Sequence, residues 1–328
     1  MDETQELFTV ENLTESINRT EQTPGRIGEL GLFEEKRIDT TSVNIVEKNN
    51  SIILVPAKSR GSEGTSLDNN KRKGETFPLV HLPMSGAVLA ESTQNVKPFG
   101  GETREDMVQA KIDEELDRMR GSIDVTIEWQ RMGALKGKIL DHDGEVIVDL
   151  FQKFSMTRFV KTLDFTKDLR TQLIAAKRES KKSQGAIKAP RYRVLAGPEL
   201  MDELMKNDDF KRAYERYDSG SALRDDVTGG ISFGGMLWEE YEGQVGDQEF
   251  VLPNEGLLVP EGVRGMYRTY FGPGTYEETV NTLGLPYYAK AERMKFDKGH
   301  ELEAQSNTIS LTAAPRAVVG FKVGTKNA

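Results

Sequence analysis

Along residues 103–135, TREDMVQAKIDEELDRMRGSIDVTIEWQRMGAL, apolar side chains return every three or four positions. Val108, Ile112, Leu116, Met119, Ile123 and Ile127 fall on one stripe, which predicts a single amphipathic helix. Thr103 and Asp106 stand at capping-box spacing at its start. Glu114 and Arg118 are placed for an i,i+4 ion pair. At 1.5 Å per residue this helix would be roughly 50 Å long, which suits a structural spine better than a compact enzyme core. Gly121-Ser122 lies in its middle and costs about 1 kcal/mol relative to alanine.

Other patterns are shorter. Residues 8–20 (FTVENLTESINRT) predict a helix capped by Thr9, with Val10, Leu13 and Ile17 at helical spacing. Pro24, Gly25, Gly28 and Gly31 then break it. Residues 41–47 and 51–56 (SIILVP) read as strands around the turn Lys48-Asn49-Asn50. Asp143-Gly144 predicts a hairpin within 138–150, and a second helix is expected over about 164–180, with Leu169, Leu173 and Ile174 inward. Residues 191–297 read as a separate αβ unit. It has a strand at RYRVLAG, a helix started by Pro198, strand-like SFGGMLWEEYEG and EGLLVPEG, and a short helix at TYEETVNTL. The tail from Glu301 alternates like paired strands. It would make 191–297 an insertion if it pairs back with the 138–150 hairpin.

Between SIILVPA and FPLVHLP runs a polar stretch, SRGSEGTSLDNNKRKGETF (59–77), whose large apolar residues are Leu67 and Phe77. Lys58, Arg60, Lys71, Arg72 and Lys73 stand there against Glu63 and Asp68. Strands on both sides argue against a structureless loop. A nucleic-acid arm would interleave aromatic residues for stacking, and none occurs within 58–73. A long β-arm reaching over a second copy of the chain fits better: about ten residues each way at about 3.3 Å span roughly 33 Å.

Composition narrows the chemistry. The chain has 328 residues, enough for two domains or one large elaborated one, with 37% hydrophobic residues and a net charge of −9. That charge disfavours a dedicated nucleic-acid binder but permits a protein that encloses nucleic acid without gripping it. There is no cysteine, so disulfides, thiolate chemistry and cysteine-built zinc sites are absent. The acidic N-terminus lacks an apolar signal core and the longest apolar runs are too short for a bilayer, so a cytosolic site of synthesis is expected. Asp141-His142-Asp143 could ligate a metal, but the hairpin turn is the better reading. GRIGELG (25–31) matches neither the P-loop nor the dinucleotide fingerprint. A Ser–His–acid triad lacks any Gly-x-Ser-x-Gly elbow. Asp225-Asp226 and Glu239-Glu240 read as a solvated loop and a strand edge, and FGPGTYEETV as a turn rather than an anion site. No catalytic, cofactor or metal site is expected.

Taken in order, several phrases resemble the lambda-type phage major capsid proteins (the major capsid protein E family), which have the α+β Hong Kong 97 capsid fold. They are LTESINRT…PGRIGELGLF, VPAKSRGSEG…NKRKGETFPLVHLP, NVKPFGGETRE, GALKGKILDHDG and YRTYFGPGTYEETVNTLGLPYYAKAERMKFDKGHELEAQSN. The resemblance implies an N-arm at 1–25 and an extended-loop region at 26–102 whose tip carries Lys58, Arg60, Lys71, Arg72 and Lys73. It implies a peripheral domain at 103–190 built on the spine helix, an axial domain at 191–297, and C-terminal strands at 298–328 returning to the peripheral domain. Copies would assemble as pentamers and hexamers into an icosahedral virion head around double-stranded DNA, in the host bacterial cytoplasm. A separate scaffold protein, a portal and a decoration protein are the implied partners, with no membrane. The chain begins directly with the arm, so the scaffold is expected to be a separate protein. Some capsids of this fold crosslink through an arm lysine, but the lambda-type family implies non-covalent contacts here. The fold also implies a spine helix that bends in immature shells, with Gly121 and Ser122 as the bend. An encapsulin-like cellular compartment and a cytosolic αβ enzyme are the alternatives.

Overall fold

The computed structural model describes residues 9–19, 25–46, 74–93, 103–185, 188–221 and 230–324. Helix α1 (Val10–Arg19) opens the described chain, with Thr9 Oγ1 accepting from the Asn12 amide at 3.3 Å and Leu13 and Ile17 buried one turn apart. A single turn, α2 (Arg26–Glu29), leads to β1 (Glu34–Arg37) and β2 (Ser42–Val46). β3 (Gly74–Pro78) and β4 (Val80–Leu89) follow, the latter alternating along its length. The strand expected at 51–56 lies outside the described residues.

Helix α3 (Arg104–Lys136) is the long helix the spacing predicts. The expected stripe is its buried face, from Ile112 through Ile127, with Val108 partly buried. β5 (Lys138–Leu140) and β6 (Val146–Asp149) form the hairpin, with Gly144 at φ +81°. A turn of helix, α4 (Leu150–Lys153), precedes β7 (Val160–Leu163). Helix α5 (Leu169–Lys182) starts later than the expected residue 164, because Asp168 caps it by accepting from the Arg170 amide while Asp164 folds its own turn onto Thr166.

β8 (Arg191–Ala196) runs into α6 (Pro198–Met205), whose first position is proline. α7 (Asp208–Ser221) is a separate helix. β9 (Ile231–Phe233) and β10 (Met236–Glu240) form a tight hairpin through Gly234 and Gly235, both at positive φ. The short β11 (Gln244–Val245) and β12 (Gln248–Glu249) precede β13 (Glu255–Glu261) and β14 (Tyr267–Phe271). The chain ends with β15 (Tyr288–Arg293), β16 (Gly299–Thr312) and β17 (Val319–Val323). The helix expected at TYEETVNTL is one 3-10 turn, Glu277–Thr279, since Asn281 turns to φ 57° and ends it.

Two compact units result. The first takes residues 1–43, 78–132 and 267–311. Its sheet runs β1-β14-β16-β15, with β4 also along β16. β1 is parallel to β14, whereas β15 and β4 are antiparallel to β16. Leu13 and Ile17 of α1 and the α3 stripe close over Ala289, Leu302 and Ala304 of this sheet. The second unit takes residues 44–77, 133–266 and 312–328. Its sheet runs β7-β17-β13-β8-β10-β9. Continuous apolar runs in β8 and β13 mark strands covered on both faces. Trp238 is the hub: its ring stacks on Phe321 at 5.7 Å, meets Phe210 edge-on at 6.0 Å, and its Nε1 donates to the Phe233 carbonyl at 3.1 Å.

The tail does not pair with the 138–150 hairpin. β16 joins the first unit's sheet, β17 joins the second's, and β5–β6 pair with each other. The sequence boundary at 190/191 lies inside the second unit, because α5 packs into the same core as β8.

Candidate assembly surface

β2 and β3 pair as a two-stranded ribbon, and residues 47–73 connect them. Lys58, Arg60, Lys71, Arg72 and Lys73 therefore lie outside the described residues. The base of the ribbon is anchored by a cross-strand hydrogen bond and a buried aromatic ring. Thr76 Oγ1 donates to Asn44 Oδ1 across the strands at 2.5 Å. Phe77, the one aromatic residue of the polar stretch, is fully buried with its ring 5.9 Å from that of Phe154.

Helix α3 is fixed at several points. The capping box forms as expected: Asp106 Oδ2 accepts from the Thr103 amide at 2.8 Å, and Thr103 Oγ1 accepts from the Asp106 amide at 3.2 Å. The Thr103 amide, and after it the Thr103 hydroxyl donating to the same oxygen at 2.8 Å, hold the Asp106 carboxyl below its ordinary pKa. The Glu114–Arg118 pair gives way to two i,i+3 pairs, Lys111–Glu114 and Glu115–Arg118, both at 2.6 Å. Being largely exposed, they contribute little to stability.

Further along, α1 is clasped to α3. Ser16 Oγ donates to Asp113 Oδ1 at 3.0 Å and Arg120 Nη1 donates to the Ile17 carbonyl at 2.5 Å. The Arg120 guanidinium also sits 4.6 Å from the Tyr287 ring centroid, and the Tyr287 hydroxyl donates to Asp124. Burial pushes the Asp124 carboxyl up, against that hydrogen bond and the nearby Arg120 charge. Burial, then the Asp124 charge, pushes Tyr287 well above the usual phenol range. Gly121 and Ser122 lie within this clasp, in unbroken helix. Ser122 Oγ donates to the Arg118 carbonyl at 3.2 Å, and Thr126 Oγ1 to the Ser122 carbonyl at 2.9 Å.

Glu128 was not singled out by any sequence motif. Its side chain is 6% exposed and points at GRIGELG. It accepts from the Ile27 amide at 2.5 Å and the Gly28 amide at 3.2 Å. The glycine pattern therefore serves an internal carboxylate. A Cβ on Gly25 would lie 2.5 Å from Glu128 Cδ, so any larger residue there would have to displace the Glu128 side chain.

The hairpin joining β15 to β16 ends in Met294–Lys298. Phe296 and Asp297 both take left-handed conformations there, φ 63° and 53°. Each such residue costs roughly 1–2 kcal/mol. Phe296 is 91% exposed, with Arg293, Lys295 and Lys298 close to it in sequence.

Catalytic candidates do not converge. His142 pairs with Asp143 Oδ1 at 2.7 Å and Asp141 Oδ1 at 3.4 Å within one exposed turn. Among the described residues no cluster of three or more His, Asp or Glu could hold a metal. His81 bonds Asn307 through Nδ1 at 2.8 Å, and burial lowers His300. Glu239 is taken up by Arg193, which also meets Glu261, at 2.6 and 2.5 Å respectively. Burial, then the Glu242 and Asp202 charges, raises Glu240. Asp225-Asp226 lies outside the described residues. FGPGTYEETV supplies one 3-10 turn, too short to be a helix-terminus anion site. No helix among the described residues is long and apolar enough to cross a membrane.

Known proteins agree with this picture. Residues 9–323 match the family of phage major capsid protein E. The major capsid protein of Pseudomonas phage KPP10 is 25% identical, over 96% of this chain and 97% of its own length. That of Salmonella phage Felix O1 is 23% identical, over 97% of each. Among solved structures, the protein assigned as the capsid protein of a prophage in E. coli CFT073 superposes with a TM-score of 0.60 at 14% identity, covering 96% of this chain and 99% of that one. The chain belongs to the phage major capsid protein E family and has the α+β capsid fold of the Hong Kong 97 type: it is a structural subunit of a phage head.

Proposed function

We propose that the chain assembles as pentamers and hexamers into an icosahedral head that encloses double-stranded DNA, and that it has no catalytic role. The family match over residues 9–323 carries the reading. The net charge of −9 supports it, because an acidic wall lets DNA slide during packing instead of holding it. Residues 1–25 act as an N-arm, α3 as the spine of the peripheral domain, the β8–β13 region as the axial domain, and the stretch between β2 and β3 as an arm over a neighbouring copy. A separate scaffold protein, a portal and a decoration protein complete the head, through non-covalent contacts. The direct test is the content of purified particles. DNA without a protein cargo is the expected result, whereas a protein cargo and no DNA would mean an encapsulin-like compartment.

Three variants probe the parts. Phe296→Ser leaves the subunit within about 0.5 kcal/mol of wild type, because the ring has nothing to lose in the monomer. It removes a contact of about 1.5–3 kcal/mol per copy in the shell. Lower shell yield with unchanged subunit melting is the result to look for, and unchanged yield would show that the ring faces only solvent. Changing Lys71, Arg72 and Lys73 together to alanine weakens contacts between capsomers and leaves the subunit folded; normal shell stability in rising salt would count against the arm. Gly121→Ala stiffens the proposed bend. The two i−4 back-bonds around it, from Ser122 and Thr126, support that reading, since such bonds bend helices. Slower prohead expansion is expected, and expansion at the wild-type rate would exclude a bend there.

A further inference from the structure

The β15–β16 hairpin of the first unit carries charge in two separate zones. Its inner face joins the α3 core through Ala289, Ala291, Leu302 and Ala304, so the pleat turns Glu292 and Glu301 to the outer face. The register sets these two carboxylates directly opposite one another, where like charges are destabilising. On its other side Glu301 is paired with Ala87 of β4, and Leu89, two residues further along the same outer face, is 42% exposed. At the tip, the Asp297 amide donates to the Met294 carbonyl at 3.2 Å and the Met294 amide to the Gly299 carbonyl at 2.9 Å. These bonds fix the turn that leaves Phe296 in solvent. The hairpin's ion pairs are Lys290–Glu278 at 3.2 Å and Arg293–Asp297 at 3.7 Å. Glu292, Glu301, Lys295 and Lys298 are all exposed, and among the described residues none of them has an ion pair.

We infer that the tip of this hairpin in one copy docks on the outer face of the same hairpin in a second copy, Phe296 resting on Ala87 and Leu89 while Lys295 and Lys298 meet Glu292 and Glu301. This rests on the self-assembly reading above. Charge complementarity selects the occupant. The tip has two cations without partners and the outer face two opposed carboxylates without partners, so each zone lacks what the other supplies. Tip against tip sets cations against cations, and outer face against outer face sets carboxylates against carboxylates. The crossed arrangement pairs opposite signs. A nucleic acid would meet the lysines, be repelled by the glutamates, and leave Leu89 uncovered. An aromatic anchor surrounded by charge pairs matches the arrangement that carries most of the energy in protein interfaces. Tip and outer face are different surfaces of one subunit, so each copy gives one contact and accepts another.

The experiment exploits a chain without cysteine. Full-length Asp297→Cys copies and Ala87→Cys copies, which keep Phe296 and the four charges, are co-assembled into DNA-free shells and treated with a short bismaleimide. Cross-linked dimers holding one copy of each variant, identified by mass spectrometry, are the expected result. Dimers formed in shells of Asp297→Cys alone would reassign the contact to tip against tip. Intact shells without mixed dimers would overturn the inference while leaving assembly in place. Failure of the wild-type chain to form shells, scaffold included, would overturn the assembly reading with it. Charge reversal is the second readout. Lys295→Glu with Lys298→Glu sets carboxylates against carboxylates, and Glu292→Lys with Glu301→Lys sets cations against cations. Each pair of changes lowers shell yield by roughly tenfold or more, because like charges then meet across the interface. All four changes together restore it. The unassembled subunit melts as wild type in every case, since these side chains have no ion pair to lose there. No recovery in the fourfold variant would contradict the inference. So would a loss confined to the tip reversal, which would give the tip another partner, nucleic acid included.

Discussion

Glu128→Ala is expected to destabilise the unassembled subunit by about 3 kcal/mol, among the largest effects of any single surface-to-core change in the first unit. The carboxylate is buried and accepts from two backbone amides, those of Ile27 and Gly28. Alanine leaves both donors without an acceptor, each at about 1–3 kcal/mol, while the release of a buried charge offsets part of the loss. Glu128→Gln keeps one acceptor oxygen and should fall between the two. The consequence extends beyond stability. Residues 25–29 connect α1 to β1, and Glu128 is what fixes them on α3. Urea unfolding of the three proteins measures the order, and limited proteolysis near residue 25 reports the release. If alanine unfolds with wild type, the carboxylate is not a clamp.

The second large effect lies in the other unit. Trp238→Ala should cost about 3–5 kcal/mol, the range for truncating a large aromatic residue in a packed core. Trp238 is 0% exposed, touches Phe210 and Phe321, and bonds the Phe233 carbonyl. Alanine opens a cavity where three elements of the sheet and its helices meet and removes the indole hydrogen bond to that carbonyl. Trp238→Phe retains most of the ring and should lose about 1–2 kcal/mol, mainly through the hydrogen bond. The chain has two tryptophans, and the other, Trp129, belongs to the first unit. Fluorescence of Trp238→Ala therefore follows the first unit, and far-ultraviolet circular dichroism is needed to see the second melt. A transition at the wild-type denaturant concentration would show that the hub is not where this unit is held together.

What the sequence discloses is what local physics decides. The α3 stripe, its capping box, the Asp143-Gly144 hairpin and the Pro198 helix start depend on residues within a few positions of each other, and each appears in place. What depends on distant partners stays hidden. Glu128 reads as one more charge on a helix, because its partners lie about a hundred residues upstream. Its position beside Ile127, at the edge of the buried stripe, is the only hint. The pairing of β16 with β4 joins residues more than two hundred apart, so the tail's alternation indicates strands without saying whose. Phe296 is hidden differently: no local pattern marks it, and only the fold shows that its aromatic ring is left facing solvent at the β15–β16 turn. The i,i+3 pairs that replace Glu114–Arg118 reflect rotamer choices among nearly equal options on an exposed helix face.

As a member of the phage major capsid protein E family, the chain is expected to work as one copy among many in a closed shell. Electron microscopy of the expressed full-length chain, with sedimentation of the same sample, tests this most directly. Closed shells, capsomer rings or tubes tens of nanometres across are the predicted result. A homogeneous monomer or dimer, even with a scaffold protein co-expressed, would contradict it.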